Sequence, residues 1–539
     1  MKKFMKKGLA LGAALLSLST FTSVVSPVVF AQAEQVLNLS ITSEPPTADP
    51  GKATDSTSGA LVRNVFEGLV RPDKDGKLSP AVAESWEVSE DGKVYTFKLR
   101  PEAKWSNGDP VKASDFEFAW KRVLNPDTAA EYATQLYLIE GAEAYNTGKG
   151  KPEDVGVKAL DDTTLEVKLK APTAYFLELT SFYTFYPVHQ ATVEANEDWA
   201  NDAGDNYVTN GPFSLASWNH DVDYQLVKNE QYWDAENVQL NEVNVQMIES
   251  EATANAQFQN GDLDYIGSPY QTPSLDAIDT YKEKGQLKIE PLAGVYWYKV
   301  NTTDKVMSNV NLRKALALAM DRQGLVENVT KGGQIPALGI VPPTMDGFKE
   351  DRGYFKDGDF ESAKEYLAKA LEELGLKEAK ELTLKLSINT SEAHSAIAQY
   401  FQEGWSKNLG INVEIDNSEW QVYLEKISNL DYQLGRLGWI GDYNDASTFL
   451  GMYATADDGN NDTGWENPEY KALLEEAAVE TDVAKRLDLL VKAEGVFMNE
   501  LPVLPVYYYT SNFVHQDKVK NMKPDSLGNV DLKFVTVEE

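Results

Sequence analysis

Cysteine is absent from all 539 residues. That excludes disulfides, thiolate metal sites and a cysteine nucleophile, and it leaves no thiol for an N-terminal lipid anchor. Stability must come from core size, which a chain this long allows, and its length predicts two or three domains. Histidine is scarce too: His189, His220, His394 and His515 are too scattered to suggest a metal centre. There is no P-loop, no dinucleotide glycine fingerprint, no G-x-S-x-G elbow and no H-E-x-x-H pair. Asp457, Asp458, Asn460, Asn461 and Asp462 resemble a calcium loop in composition only, because their spacing fails the EF-hand pattern. No metal and no cofactor is expected. Positive charge is the scarce sign, with 50 Lys+Arg against 84 Asp+Glu and a net charge of −34. That field disfavours nucleic acid as a partner and suits solubility outside the cell. Carboxylate pairs for glycoside hydrolysis are plentiful among so many acids, yet no spacing singles one out.

The one long apolar run stands at the start. Lys2, Lys3, Lys6 and Lys7 precede Leu9 to Leu18, and Pro27 precedes Ala31-Gln32-Ala33. This is the pattern of a secretory leader over 1–33, cleaved after Ala33, with Ala31 the alternative. Serines and threonines between Ser17 and Ser23 interrupt the run and argue against a membrane anchor. The pattern predicts export without a lipid anchor, to a periplasm or to the outside of the cell envelope. Loss of the four leader lysines takes the net charge from −34 to −38.

Periodicity predicts a mixed α/β chain. Alternation at Tyr95, Phe97 and Leu99, at Leu165, Val167 and Leu169, and at Val243, Val245 and Met247 predicts strands. Ala363, Tyr366, Leu367, Ala370, Leu371 and Leu374 share a helical face, with Gly375 as the stop. A strand through Leu382 to Ile388, a helix through Ile397, Phe401 and Trp405 ending near Gly410, and a strand from Ile411 to Ile415 follow. That β-α-β order predicts parallel strands. After one more short helix, from Val422 to Ile427, and a short strand comes Gly435-Arg436-Leu437-Gly438-Trp439-Ile440-Gly441-Asp442-Tyr443-Asn444. Glycines let another main chain approach closely, an aspartate can take an ammonium and an arginine a carboxylate. The segment is expected at the C-terminal end of a strand, where open α/β sheets bind ligands. Its chemistry suits a short zwitterionic peptide.

A succession of motifs then carries a family resemblance. It runs from Phe66-Glu67-Gly68-Leu69-Val70 through Pro80-Ala81-Val82-Ala83-Glu84-Ser85-Trp86 to Lys104-Trp105-Ser106-Asn107-Gly108. It continues through Thr209-Asn210-Gly211-Pro212-Phe213, Asn229-Glu230-Gln231-Tyr232-Trp233 and Arg313-Lys314-Ala315-Leu316 to Pro505-Val506-Tyr507-Tyr508-Tyr509. In this order, over nearly the whole mature chain, it resembles the peptide-binding proteins of ABC importers, of the oligopeptide-binding type (extracellular solute-binding protein family 5).

The resemblance implies a two-lobed α/β periplasmic-binding-protein fold (type II, cluster C) with an additional domain and a hinge between the lobes. Lobe I would comprise 34–56, 190–294 and 511–539, the additional domain II 57–189, and lobe II (domain III) 295–510. It implies a monomeric exported receptor, not an enzyme, that closes on short oligopeptides and delivers them to the membrane permease of an ABC transporter. Asp442 would take the peptide ammonium, while Arg436 and His394 would meet its C-terminus and Gly438 and Ile440 would offer main-chain partners. Glu44, Tyr132, Trp297, Asn389, Trp420, Trp439 and Tyr509 occupy positions that line the family's cleft. Two further cation positions of the family hold Thr330 and Ile427 here, beside Lys331 and Lys426. A cysteine pair of Gram-negative relatives would be replaced by apolar contact between Ile440 and Val295. Two other readings stay open at this point: the same fold with another solute (a signalling peptide, nickel or a glycoside), and a secreted carboxylate-pair glycosidase.

Overall fold

The computed structural model describes residues 35–538 apart from Asp75 and Ala174; the expected leader and its cleavage site lie outside the described residues. The fold is two-lobed. In the first lobe a four-stranded sheet has the order Val36–Ile41, Glu242–Met247, Asp223–Lys228, Phe213–Asn219. Its outer strand Val36–Ile41 pairs in parallel with Glu242–Met247, far along the chain, and the remaining pairs are antiparallel. Beside it an antiparallel sheet has the order Ala83–Val88, Val94–Leu99, Thr164–Lys168, Val157–Asp161. One apolar core runs through both, including Leu39, Phe97, Trp120, Leu165 and Val243.

A seven-stranded mixed sheet underlies the second lobe and extends into the first. Its main path is Tyr265–Gly267, Val503–His515, Lys288–Val300, Leu434–Ile440, Thr383–Asn389, Asn412–Ser418. The two long strands Lys288–Val300 and Val503–His515, 13 residues each, form an antiparallel ribbon reaching from one lobe into the other. At one end Lys288–Pro291 pairs with Thr510–Phe513; at the other Trp297–Lys299 pairs with Val503–Pro505. Register breaks fall between, at Pro291/Val295 and Tyr296/Trp297.

The periodic stretches fold as their spacing predicts. Phe360–Leu374 is a helix capped by the Asp359 carboxylate and ended by Gly375 at φ 71°, a left-handed backbone that a side chain disfavours. Thr383–Asn389 and Asn412–Ser418 pair in parallel, joined by the helix Glu392–Leu409. The glycine-rich segment differs from expectation. Leu434–Ile440 is itself the strand, antiparallel to Lys288–Val300, so the sheet is mixed and the segment lies within it. Gly435 and Gly438 within it obscure the apolar alternation that marks a strand in sequence. The register also sets Gly294 opposite Ile440, with Val295 facing Trp439. Val295 therefore projects to the other face of the sheet, and the expected Ile440–Val295 contact does not form.

Candidate functional site

The strand Leu434–Ile440 has one satisfied edge and one open edge. Along Lys288–Val300 it is paired from Leu434 to Ile440, but Thr383–Asn389 touches it only at Leu434 and Gly435. The Gly441 N–H donates to the Ala293 carbonyl, which makes Ile440/Gly294 a non-hydrogen-bonded antiparallel pair. By alternation, Leu437 and Trp439 bond to the Lys288–Val300 strand. The main-chain groups of Arg436, Gly438 and Ile440 point away from it. The Tyr423 hydroxyl donates to the Arg436 carbonyl at 2.7 Å. The Gly438 and Ile440 groups face the cleft between the lobes.

Two adjoining cavities, about 250 and 280 Å³, occupy that cleft and share Ser56, Ser268, Trp420, Arg436, Ile440 and Tyr509 in their walls. A Cβ at 438 would lie 2.5 Å from the Tyr509 hydroxyl, so any side chain there must displace the Tyr509 ring. Trp439 meets the Tyr132 ring edge-on at 6.1 Å.

Asp442 follows the strand in the first cavity. Its Oδ1 accepts from the Tyr132 hydroxyl at 3.2 Å and its Oδ2 from the Gln135 amide at 2.9 Å. Its own N–H donates to Thr448 at 3.0 Å, which fixes the turn. Burial pushes the Asp442 carboxyl up to about 7, against the Tyr132 hydrogen bond and the nearby Arg63 charge, which pull it down. The Arg63 guanidinium sits 5.1 Å from the Phe182 ring centre and 5.2 Å from that of Tyr183. Deeper in the same cavity, Lys299 is held by Asp462 at 2.6 Å, near Glu131, whose carboxyl burial lifts to about 6.

Arg436 stands between the two cavities. Its guanidinium lies 4.7 Å over the Tyr296 ring and donates to Asn389 and Tyr509, both at 3.2 Å. It forms no salt bridge among the described residues, although its charge reaches the buried Glu251 carboxylate, and its Nε is buried without a partner. Burial and the Arg436 charge push the His394 imidazole well below its usual range, so it is neutral, with Nδ1 3.4 Å from the Tyr296 hydroxyl. Thr330 is in the second cavity and Ile427 in the first, while the neighbouring lysines are committed elsewhere: Lys331 to Asp279 and Lys426 to Asp416, both at 2.6 Å.

Ten of the twelve residues singled out in the sequence thus converge on the cleft: Tyr132, Asn389, His394, Trp420, Arg436, Gly438, Trp439, Ile440, Asp442 and Tyr509. Two do not. Glu44 turns to His220 and to the Asp221 N–H (2.6 Å) and lies in neither cavity wall. Trp297 is 0% exposed and packs in the second-lobe core against Tyr453, because its register opposite Leu437 turns the ring into the sheet's packed face. Gln135, Arg63, Thr448 and Tyr296 were not foreseen, and no motif marks them.

Residues 77–461 match the bacterial extracellular solute-binding proteins, family 5 Middle. The oligopeptide-binding protein OppA of Bacillus subtilis (strain 168) is 50% identical over 502 residues, 93% of this chain and 92% of that protein. The crystal structure of Haemophilus influenzae OppA in complex with RPPGFSPFR superposes with a TM-score of 0.89 at 31% identity, over 94% of this chain and 100% of that one. The periplasmic murein tripeptide-binding protein MppA, in its unliganded open form, reaches 0.62 at 30% identity, over 94% and 98%. Coverage and identity are nearly equal in the two cases, so the difference reports lobe arrangement. The lobes here sit as they do in the peptide complex.

Proposed function

The chain belongs to the bacterial extracellular solute-binding proteins of family 5, and from that premise we propose an exported receptor for short oligopeptides that serves an ABC permease. The observation that carries this reading is the open strand edge at Gly438 and Ile440, facing a cleft with a carboxylate at one end and, at the other, a guanidinium that donates to the neutral Asn389 and Tyr509. An extended peptide adds to that edge as a strand, and its own main chain supplies affinity whatever its sequence. The peptide ammonium docks on Asp442. At about 4 Å and an effective dielectric near 20 such a pair is worth on the order of 4 kcal/mol. The carboxylate docks towards Arg436, Asn389 and His394. Successive side chains point to opposite faces and so enter the two cavities alternately.

The ribbon Lys288–Val300/Val503–His515 acts as a hinge at its register breaks, between lobes I (34–56, 190–294, 511–539) and II (295–510), with domain II (57–189) riding on lobe I. Closure buries the peptide and excludes water. The protein acts as a monomer, carries out no catalytic step, and is exported by cleavage after Ala33 without a lipid anchor. Thr330 and Ile427 take the places of two cations, so fewer side chains fix the C-terminal end and ligand length is set loosely. Mass spectrometry of ligand retained through native purification tests the reading. Short peptides of mixed sequence are expected; a bound metal, glycan or other non-peptide solute overturns it.

A further inference from the structure

The tripeptide Ser-Glu-Ala occurs twice in the chain and nowhere else, and both copies open helices on opposite sides of the cleft. Ser250-Glu251-Ala252 begins the helix Glu251–Asn260, just after the first-lobe strand Glu242–Met247. Ser391-Glu392-Ala393 begins the helix Glu392–Leu409, just after the second-lobe strand Thr383–Asn389.

Each serine caps its own helix. Ser250 Oγ accepts from the Thr253 N–H and Ser391 Oγ from the His394 N–H, both at 3.2 Å. Each glutamate serves the other helix instead. Glu392 Oε1 accepts from the Ser250 hydroxyl at 2.9 Å and its Oε2 from the Ala252 N–H at 3.2 Å. Glu251, only 3% exposed, accepts from the Ser391 hydroxyl at 2.5 Å. Two helix N-termini, each with a partial positive charge, would repel on meeting. The crossed carboxylates turn that repulsion into attraction. They also lie next to the ligand-carboxylate end of the cleft, since His394 is both the capped residue and the neighbour of Arg436.

We propose that this reciprocal capping is a latch between the lobes that governs how long a captured ligand stays. All three bonds cross the cleft and all end on carboxylate oxygens, so opening breaks them together. Once apart, each glutamate remains in the first turn of its own helix, where its charge is favourable. The open form is therefore left without stranded groups, and the latch resets. The inference rests on the reading of the cleft as one that opens and closes.

The missing cysteines make the test direct. Val222→Cys and Val479→Cys, at sites 58% and 63% exposed on the two lobes, accept a fluorophore pair that reports lobe separation. Distances are read with and without tetra-alanine, and stopped-flow mixing gives its association and dissociation rates. Hydrogen bonds to charged groups are strong enough that Glu392→Ala is expected to raise the dissociation rate about tenfold or more. Association should change less than about twofold, the closed population should fall, and the melting temperature of the ligand-free protein should hold. Ser250→Ala with Glu392→Ala should cost little more than Glu392→Ala alone. Ser391→Ala probes the other half and should act in the same direction. Unchanged dissociation and closure in Glu392→Ala, or independent addition of the paired substitutions, overturns the latch. So does a parent protein never found closed. A parent that closes yet binds no tetra-alanine counts against the proposed function, while the label distances still decide the latch.

Discussion

At the Asp442 end of the cleft, a carboxylate accepts from Tyr132 and Gln135 while the residue's own N–H donates to Thr448. At the Arg436 end a cation rests on a tyrosine ring, touches only neutral acceptors, and keeps one buried N–H without a partner. Both groups are buried, but only the acid is held by side chains from both sides of the cleft. The arginine donates only to neutral acceptors, with the buried Glu251 carboxylate within reach of its charge, and Thr330 and Ile427 line the same cavities. On the proposed reading, one end of the ligand meets a fixed point charge and the other a less constrained cation.

The largest expected effect breaks the fixed end. Asp442→Ala should cost roughly 2–5 kcal/mol of peptide affinity, because it strands a buried ammonium without its partner. Arg436→Met should cost less, about 1.5–3 kcal/mol, with Asn389 and His394 still present. Calorimetry with one peptide against both variants measures the contrast; equal losses would break it. Gly438→Ala comes next. Its methyl would force the Tyr509 ring aside, and overpacking of this kind costs about 1–3 kcal/mol. The loss should appear in affinity, with the open strand edge disturbed.

A pH series separates the ends further. A carboxyl raised to about 7 in the closed cleft is protonated below that value, and only the ionised form attracts an ammonium. Affinity should therefore fall as pH drops through about 7. It should fall again above about 8 as the peptide's α-amino group loses its proton. In Asp442→Asn the acid-side fall should vanish. The smallest effect sharpens the map by exclusion: Glu44→Gln, outside both cavities, should alter affinity by less than about 0.5 kcal/mol.

Much of the fold could be read from residue spacing. Alternation at Tyr95–Leu99 and the glycine stops at 375 and 410 correspond to real elements, because period and cap are local physics. The site was legible where motif order placed it, in Arg436 to Asp442. The rest depended on long-range register. Trp297 and Trp420 look alike in sequence, yet pairing opposite Leu437 buries the first in a core while the second lines both cavities. Gln135 meets Asp442 across 307 residues of chain, a separation that no local pattern encodes. Glu44 was drawn to His220 by a surface pairing equally invisible beforehand.

On the proposed reading, Asp442 binds the free ammonium as the fixed end of the ligand. The most direct test is calorimetry of one short peptide in three forms: unmodified, N-acetylated and C-amidated. Acetylation is expected to abolish most of the affinity of the parent protein and to add little further loss in Asp442→Ala, whereas amidation should cost distinctly less. Undiminished binding of the acetylated peptide, or a larger loss on amidation, would contradict it.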